Sequence, residues 1–220
     1  MALFNFFRKP KFLETPVDLG QVGVDMHSHF VPAIDDGSRS VDDSVAMIGG
    51  LKELGYRKVI TSPHIMGDNF KNTPEIIRNG LMPVATALQE QSIDIETDCI
   101  AEYYVDFDFE KKLDSGPLMT FGKKYLLFEI SYLNPPENLY NVIFKMQLAG
   151  YKPVLAHPER YTFWHNDFEK YESLLDKSVF LQMNLLSLIA HYGMETKFIA
   201  EKMIERKMIS FVGTDAHKLD

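Results

Sequence analysis

The amino-acid sequence predicts an α/β fold with a mainly parallel β-sheet, and three observations support this prediction. A helical stretch, a stop signal and a short β-branched stretch follow one another repeatedly along the chain. Strands that alternate with helices in this way are typical of βαβ units, whose strands run parallel. A chain of 220 residues suits a single domain, including the α/β barrels that exceed the average domain size.

The first copy of the pattern begins at Ser40, which is a favourable N-cap for an amphipathic helix running to Leu54. Gly55 is a typical helix stop. Residues 56–61 then form a β-branched stretch that leads to His64. This copy therefore predicts a helix, a turn and a strand that ends near a histidine.

The second copy has the same order, with a helical stretch at 138–149 that ends at Gly150. Its strand at 151–156 leads directly to His157. A looser third copy consists, in order, of a helix at 198–206, a strand at 208–212, Asp215 and His217. The carboxyl ends of parallel strands gather at one end of an α/β barrel, so we expect these side chains to meet there.

Two further strands are predicted to carry acidic residues at their far ends. Residues 93–100 lead to Glu102, and residues 125–128 lead to Glu129. Between these strands, residues 113–122 are predicted to be an irregular connection.

A helix is predicted over residues 74–91, where Thr73 is the N-cap and Pro74 takes the first helical position. Gly80 and Pro83 interrupt this stretch. Because proline removes a backbone hydrogen bond within a helix, we expect either a kink or two short helices here.

Composition argues against several classes of protein. The net charge is −8, which argues against a nucleic-acid-binding protein, because such proteins neutralise phosphates with Lys and Arg. Cys99 is the only cysteine, so no internal disulfide can form and a reducing cytoplasm is the expected compartment. No apolar stretch approaches the length of a transmembrane segment.

Residues 1–21 are predicted to be a loosely ordered N-terminal arm, and residues 22–220 to be the folded domain. The arm interleaves phenylalanines with basic residues, so contact with a membrane surface or a partner is the alternative. It has neither a long apolar stretch nor a small-residue cleavage site, which makes it a poor signal peptide.

Histidines and carboxylates cluster at the predicted strand ends. In an extended strand, side chains two residues apart point the same way, so His27 and His29 face together, as do Asp215 and His217. Such nitrogen and oxygen ligands without thiolate suit manganese, iron or zinc. Because several clusters point to one end of the fold, we predict a site for more than one divalent transition metal.

Some acidic residues near these clusters have two interpretations. Asp25 shares the face of His27 and is expected to orient a ligand rather than to bind metal. Asp35 and Asp36 precede a glycine, so they either form a turn or supply one metal ligand. Glu102 is an ordinary strand-end acid or a carboxylate that bridges two metals, and the same alternatives apply to Glu129.

Arg160 follows His157 by three residues and is suited to bind a phosphoryl group through two parallel hydrogen bonds. The alternative is a surface ion pair. The aromatic residues that follow, Tyr161, Phe163 and Trp164, either form a wall for an aromatic substrate or belong to the core. We assign Arg160, Tyr161 and Trp164 to substrate binding.

Seven motifs together give the sequence a family resemblance. They are, in order, Asp25-Met26-His27-Ser28-His29, Pro32-Ala33-Ile34-Asp35-Asp36-Gly37, Ser62-Pro63-His64, Ala101-Glu102-Tyr103, Leu127-Phe128-Glu129, Ala156-His157-Pro158-Glu159-Arg160 and Asp215-Ala216-His217. From residue 24 onward the chain resembles the polymerase and histidinol phosphatase (PHP) superfamily, and more narrowly its bacterial tyrosine-protein phosphatases of capsular and exopolysaccharide loci.

The resemblance implies a distorted parallel (β/α)7-type barrel that holds a three-metal cluster, most often of manganese. It implies that Arg160 engages the phosphate. The implied substrate is phosphotyrosine on the tail of a tyrosine autokinase that controls polysaccharide export. The implied metal ligands are His27, His29, Asp36, His64, Glu102, Glu129, His157, Asp215 and His217.

The chain departs from this family at its C-terminal end. Family members continue past the Asp-x-His motif and carry a second arginine soon after it, whereas this sequence stops at Asp220. The expectation is therefore a domain that is truncated at this end or that lacks the second arginine.

The predicted reaction is hydrolysis of a phosphate monoester by a metal-activated water, with Asp36 or a histidine of the cluster as the proton donor. One alternative is a small-molecule phosphatase of the histidinol-phosphatase type, which shares most of the ligands. A second alternative is a metal-stabilised protein that binds the export machinery without catalysis. A deaminase of the amidohydrolase type is disfavoured, because no lysine stands at a strand end.

Overall fold

The computed structural model describes residues 18–219, which form nine β-strands and six α-helices. Most of the predicted N-terminal arm, residues 1–17, lies outside the described residues. The strands are β1 Val24–Asp25, β2 Lys58–Thr61, β3 His64–Ile65, β4 Glu96–Cys99, β5 Glu102–Tyr104, β6 Tyr125–Glu129, β7 Lys152–Ala156, β8 Phe180–Asn184 and β9 Phe211–Gly213. The helices are α1 Val41–Glu53, α2 Pro74–Glu90, α3 Phe107–Ser115, α4 Leu139–Leu148, α5 Glu169–Asp176 and α6 Met194–Glu205.

All strand pairs between these elements are parallel, which confirms the predicted architecture. One sheet has the order β1-β2-β4, and the other has the order β3-β5-β6-β7-β8-β9. Only two residues separate β2 from β3 and β4 from β5, so the chain passes directly from the first sheet into the second. The two sheets curl around one interior and form a distorted parallel barrel.

The barrel closes where its first and last strands end. Ser28 and Ala216 form an isolated parallel bridge, and the Asp215 N–H donates a 2.7 Å hydrogen bond to the carbonyl of His27. We call this contact between the residues after β1 and those after β9 the seam. Gly213 is required at the seam, because a Cβ atom there would lie 2.6 Å from Cβ of His27. The seam therefore brings the residues that follow β1 against those that follow β9.

Two apolar clusters stabilise the barrel. The larger one lies between the strands and the surrounding helices and contains most of the buried aliphatic residues. The smaller one fills the barrel interior with side chains from both sheets, among them Ile60, Leu127 and Val154. Phe121, Tyr125, Phe180 and Phe211 pack against this inner cluster.

The helix α2 runs without interruption through Gly80 and Pro83, so the predicted division into two short helices is wrong. Its buried face continues at helical spacing across the proline, through Leu81 and Val84. That burial outweighs the one backbone hydrogen bond that proline removes. Gly80 allows close packing, because a Cβ there would lie 2.4 Å from Cγ1 of the buried Val31.

Other boundaries differ from the predictions in detail. The stretch 113–122 was expected to be irregular, but residues 113–115 are the last residues of α3. The strand predicted at 93–100 is shorter, and Glu102 begins a strand of its own. The α6 helix begins four residues before its predicted start. The elements α5 and β8 have no counterpart among the predictions.

Among residues 18–219, no helix is long and apolar enough to cross a membrane.

Candidate metal centre

The carboxyl ends of the strands form a single centre that contains every predicted metal ligand. His27 and His29 follow β1, His157 follows β7, and Asp215 and His217 follow β9. His64, Glu102 and Glu129 lie within the strands β3, β5 and β6, and Asp36 lies in the turn after His29. Residues from both ends of the described chain therefore meet at one place.

Four groups of side chains at this centre could hold a metal ion, and within each group the ligand atoms lie within 4.8 Å of one another. The groups are His29-Asp36-His64-His217, His27-His29-Glu102, His27-His157-Asp215 and His64-Glu102-Glu129. They contain all nine predicted ligands and overlap at four of them, His27, His29, His64 and Glu102. Neighbouring ions could therefore share a carboxylate or stand side by side.

The centre is buried on its inner side and open on its outer side. His27, His29 and Glu102 have no solvent exposure, whereas the Asp36 side chain is 59% exposed. The Asp36 carboxylate lies 3.5 Å from Nε2 of His64 and 3.4 Å from Nε2 of His217. Solvent therefore reaches the centre on the side of Asp36 and His217.

A cleft of about 570 Å³ adjoins this outer side. It is lined by Asp35, Asp36, Gly37, Arg39, Asp43, Met47, His217, Lys218 and Leu219.

Hydrogen bonds from outside the groups fix the orientation of the imidazoles. His27 donates from Nδ1 to Oε1 of Gln182 at 2.8 Å, and His29 donates from Nδ1 to Oδ2 of Asp35 at 2.8 Å. In both residues Nε2 then points toward the centre, where the two Nε2 atoms are 3.4 Å apart. Such bonds set the tautomer of a metal-binding histidine and increase its basicity.

Arg160 joins the centre through Asp215. Its Nη1 donates a 2.7 Å hydrogen bond to Oδ2 of Asp215, which also accepts a 2.6 Å bond from Nδ2 of Asn184. The other oxygen, Oδ1, lies 3.4 Å from Nε2 of His27. Asp215 thus presents one oxygen to the histidines and uses the other to hold the guanidinium.

The charges at the centre strongly shift its pKa values. Burial lowers the pKa of His27, but the charges of Glu102 and Asp215 outweigh burial and raise that pKa to about 9. Burial raises the pKa of Glu102, but His27 and His64 outweigh it and hold that pKa well below its usual range. The centre therefore concentrates negative charge that attracts either protons or cations.

Two ligand positions have an unusual backbone. His157 has φ 36° and Asp215 has φ 55°, and both values fall in the left-handed region that favours glycine. Left-handed backbone costs free energy for residues with a Cβ atom and persists only where the surrounding structure enforces it. The surrounding structure holds these two residues in place, so their geometry is set before any ligand binds.

The residues fit a divalent transition metal by two criteria. The donor atoms are ring nitrogens and carboxylate oxygens, with no thiolate among them, which is the chemistry that manganese, iron and zinc accept. Nδ1 of His64 and Oε2 of Glu102 are buried and 3.2 Å apart, yet neither makes a hydrogen bond to a described residue. A cation between two such lone pairs would compensate for both.

The predicted substrate role of Tyr161 and Trp164 is corrected by their burial. Tyr161 has no exposed surface and Trp164 is 6% exposed, and both belong to the larger apolar cluster. The Tyr161 hydroxyl accepts a hydrogen bond from the N–H of Ile130, which ties it to the loop after β6. Both rings are therefore core residues, which was the alternative interpretation of the sequence.

Several residues of the centre were not predicted from the sequence. Gln182 and Asn184 could have been found, because they alternate with apolar residues in a strand-like stretch. Tyr132 and Tyr192 gave no such signal, because they lie in loops that only the tertiary structure brings to Arg160. Their rings lie 4.9 Å and 4.2 Å from the Arg160 guanidinium carbon.

Fold and site together define a parallel α/β-barrel protein with a candidate metal centre at the carboxyl ends of its strands. The chain belongs to the CpsB/CapC family of capsular polysaccharide synthesis, whose family model matches residues 23–220.

Relatives with known names agree with this assignment. The chain is 28% identical over 197 residues to the tyrosine-protein phosphatase YwqE of Bacillus subtilis, covering 89% of this chain and 78% of that protein. It is 27% identical over 203 residues to the tyrosine-protein phosphatase CpsB of Streptococcus pneumoniae, covering 90% of this chain and 84% of that protein.

Solved structures extend the comparison to the fold. One similar structure comes from a description of YwqE of Bacillus subtilis and CpsB of Streptococcus pneumoniae as unique metal-dependent tyrosine phosphatases. The match has a TM-score of 0.84 and 28% identity, and it covers 90% of this chain and 80% of that one. The phosphotriesterase homology protein of Escherichia coli matches with a TM-score of 0.53 at 11% identity, covering 93% of this chain and 84% of that one. The second similarity shows the barrel fold alone.

Proposed function

We propose that this protein is a metal-dependent phosphatase that hydrolyses phosphotyrosine on another protein. The observation that carries the proposal is the position of Arg160, which is bonded at 2.7 Å to Asp215 at the edge of four overlapping ligand groups. A guanidinium beside a metal centre is suited to bind a phosphoryl group. The relatives named as tyrosine-protein phosphatases support the same conclusion.

We propose the nine residues of the four groups as the ligands of a three-metal cluster, with manganese first and iron or zinc as alternatives. When bound, such cations lower the pKa of water and neutralise charge on the phosphoryl oxygens. Three of the four shared residues, His27, His29 and Glu102, are fully buried, and of these the Glu102 carboxylate has the lone pairs to serve two ions.

The protein's own residues contribute binding and orientation. Arg160 offers its remaining N–H groups to the phosphoryl oxygens while Asp215 holds the guanidinium in place. Gln182 and Asp35 keep the Nε2 atoms of His27 and His29 directed at the centre. The substrate therefore meets groups that are already aligned, which lowers the cost of ordering them during the reaction.

Asp36 is better suited to binding a cation than to donating a proton. The hydrogen bond from His217 lowers the pKa of Asp36 to about 2, so its carboxyl group carries no proton near neutral pH. A tyrosine phenolate, with a pKa of about 10, leaves more readily than an alkoxide and depends less on a proton donor. We therefore propose Asp36 as a metal ligand rather than as the proton donor.

The proposed substrate is a phosphotyrosine tail of a tyrosine autokinase that regulates capsular or exopolysaccharide export. Membership in a family of capsular polysaccharide synthesis supports this choice of pathway. We propose residues 22–220 as one catalytic domain, and the single cysteine supports a reducing, cytoplasmic location.

The test is phosphate release from a phosphotyrosine peptide by protein that has been stripped with a chelator and then given manganese, iron or zinc. We expect no turnover without metal and restored turnover with it, and a preference for the peptide over histidinol phosphate. Full activity of the stripped protein would refute the metal-dependent reaction. A preference for histidinol phosphate would indicate a small-molecule phosphatase, and no turnover with any metal would indicate a non-catalytic binding protein.

Two histidine variants make this test specific. His157→Ala removes a residue of one ligand group and is expected to lower both metal content and turnover. His191→Ala is the matched control, because this exposed histidine belongs to none of the groups found among residues 18–219.

A further inference from the structure

Three tyrosine rings contact His157 or Arg160 at the metal centre, and they differ in exposure. Tyr161 is fully buried, and Tyr192 is half-buried with its hydroxyl 3.4 Å from Nδ2 of Asn184. Tyr132 is 41% exposed. Of the three residues, Tyr132 is the most exposed.

Tyr132 is held firmly although much of it is exposed. Its ring stacks on the His157 ring with centroids 5.7 Å apart and planes 20° apart. Its hydroxyl lies 3.3 Å from Nδ1 of His157, and the guanidinium carbon of Arg160 lies 4.9 Å from its ring centroid. These contacts fix the ring at the edge of the centre before a substrate arrives.

The position of Tyr132 suits contact with the group that a phosphate ester carries. When Arg160 binds a phosphoryl group, the ester oxygen is attached directly to the bound phosphorus. An aryl ring on that oxygen therefore lies close to the guanidinium. Aromatic rings attract each other in offset or edge-to-face arrangements, whereas an alkyl chain lacks this interaction. An exposed ring next to Arg160 therefore favours aryl esters.

We propose that Tyr132 is a specificity-determining residue whose exposed ring packs against the aromatic ring of phosphotyrosine. This inference rests on the proposed phosphatase function and explains how one metal centre would prefer aryl over alkyl phosphate esters. The contact is made by the ring and not by the hydroxyl, which faces His157.

The experiment compares the binding of two non-hydrolysable probes, benzylphosphonate and butylphosphonate, to manganese-loaded protein by calorimetry. Wild type is expected to bind benzylphosphonate more tightly. Tyr132→Leu should reduce this preference roughly two- to tenfold, the usual range for one aromatic contact, and should leave the affinity for inorganic phosphate unchanged. Tyr132→Phe and Tyr132→Trp, which retain a ring, should keep the preference.

The matched control is Tyr140→Leu. Tyr140 is 40% exposed, but it lies on α4, where its hydroxyl contacts Ser173 of α5. This variant should keep the wild-type preference. Metal content is measured for every variant. The ratio of the two phosphonate affinities, measured on one preparation, does not depend on the fraction of protein that has bound manganese.

Two results would overturn the inference: an unchanged preference in Tyr132→Leu, or a loss in Tyr132→Phe as large as that in Tyr132→Leu. Binding is measured without turnover, so the inference is judged separately from the proposed function. Failure of the wild-type protein to release phosphate from a phosphotyrosine peptide would contradict the proposed function, whatever the phosphonates show.

Discussion

Asp25 accepts two hydrogen bonds from Thr214, a residue 189 positions away, at 2.8 Å from the backbone N–H and 2.7 Å from the hydroxyl. Asp25 ends β1, and Thr214 directly follows β9. The pair therefore fastens the seam immediately below His27 and Asp215. Asp25 is not a member of any ligand group among residues 18–219.

The first prediction concerns this pair. Thr214→Val removes the hydroxyl donor and leaves one oxygen of the buried Asp25 carboxylate without its partner. The expected loss is about 1–3 kcal/mol in the free energy of unfolding, measured by urea denaturation of the metal-free protein. Thr86→Val is the control, because Thr86 is exposed on α2 and bonds only a carbonyl of its own helix. Equal stability of Thr214→Val and wild type would contradict a stabilising seam.

The second prediction concerns Arg160. Arg160→Ala should lower turnover on a phosphotyrosine peptide by roughly 10²–10³-fold, the range seen when a donor to transition-state charge is removed. Metal content should stay near that of wild type, because Arg160 is outside the four ligand groups. Arg206→Ala is the matched control, since Arg206 pairs with Glu172 away from the centre. Elemental analysis and phosphate release measure the two effects, and wild-type turnover in Arg160→Ala would refute the phosphate role.

The third prediction concerns Gln182. Its Oε1 accepts hydrogen bonds from Nδ1 of His27 and from the backbone N–H of His157. Gln182→Leu removes both acceptor contacts, so we expect a loss of about 10–100-fold in metal affinity, as is typical of residues that orient metal ligands. Gln147→Leu serves for comparison, because Gln147 bonds a loop carbonyl on the outer helix layer. Unchanged manganese affinity in Gln182→Leu would show that His27 needs no such support.

The fourth prediction concerns pH. The pKa of His27 is raised to about 9 because Glu102 and Asp215 outweigh the opposing effect of burial. A metal must displace this proton, so the apparent manganese affinity should increase as pH rises from about 7 to 9, with proton release on binding. Calorimetry in two buffers of different ionisation enthalpy measures both quantities, and affinity that falls over this range would contradict the prediction.

The same raised pKa fixes the sign of the pH effect on the metal-free protein. Because the folded-state pKa exceeds the unfolded value of about 6.5, protonated His27 stabilises the fold fully below that pH. This contribution is lost as pH rises through about 9.

The fifth prediction concerns the helix α2. Pro83→Ala restores a backbone N–H to an exposed position and should stabilise the protein by about 1–2 kcal/mol, less than the full helix penalty because proline also restricts the unfolded chain. Gly80→Ala should destabilise by about 1–3 kcal/mol, since its Cβ would collide with Val31. Thermal unfolding measures both, and a stabilised Gly80→Ala would show that the contact relaxes freely.

The sequence was most informative where polar residues follow apolar stretches. His64 and His157 stand at such boundaries. A parallel sheet alone therefore implies that both lie at the same end of the fold. Gln182 lies inside an apolar stretch and not at its boundary, so only its alternation with apolar residues could have identified it. Tyr132 reaches the centre only through the path of a loop, which local propensity does not determine. Of the two alternatives predicted for α2, a kink or two short helices, the second is wrong because burial of a continuous face overrides the local preference of proline.

The closed seam has a consequence for biosynthesis. Two of the four ligand groups need Asp215 or His217, which the ribosome adds long after His27 and His29. The nascent chain must keep His27 and His29 available until β9 arrives to join them. The metal centre would therefore assemble in one step, once the residues that follow β9 have been made, and not gradually as the strands are translated.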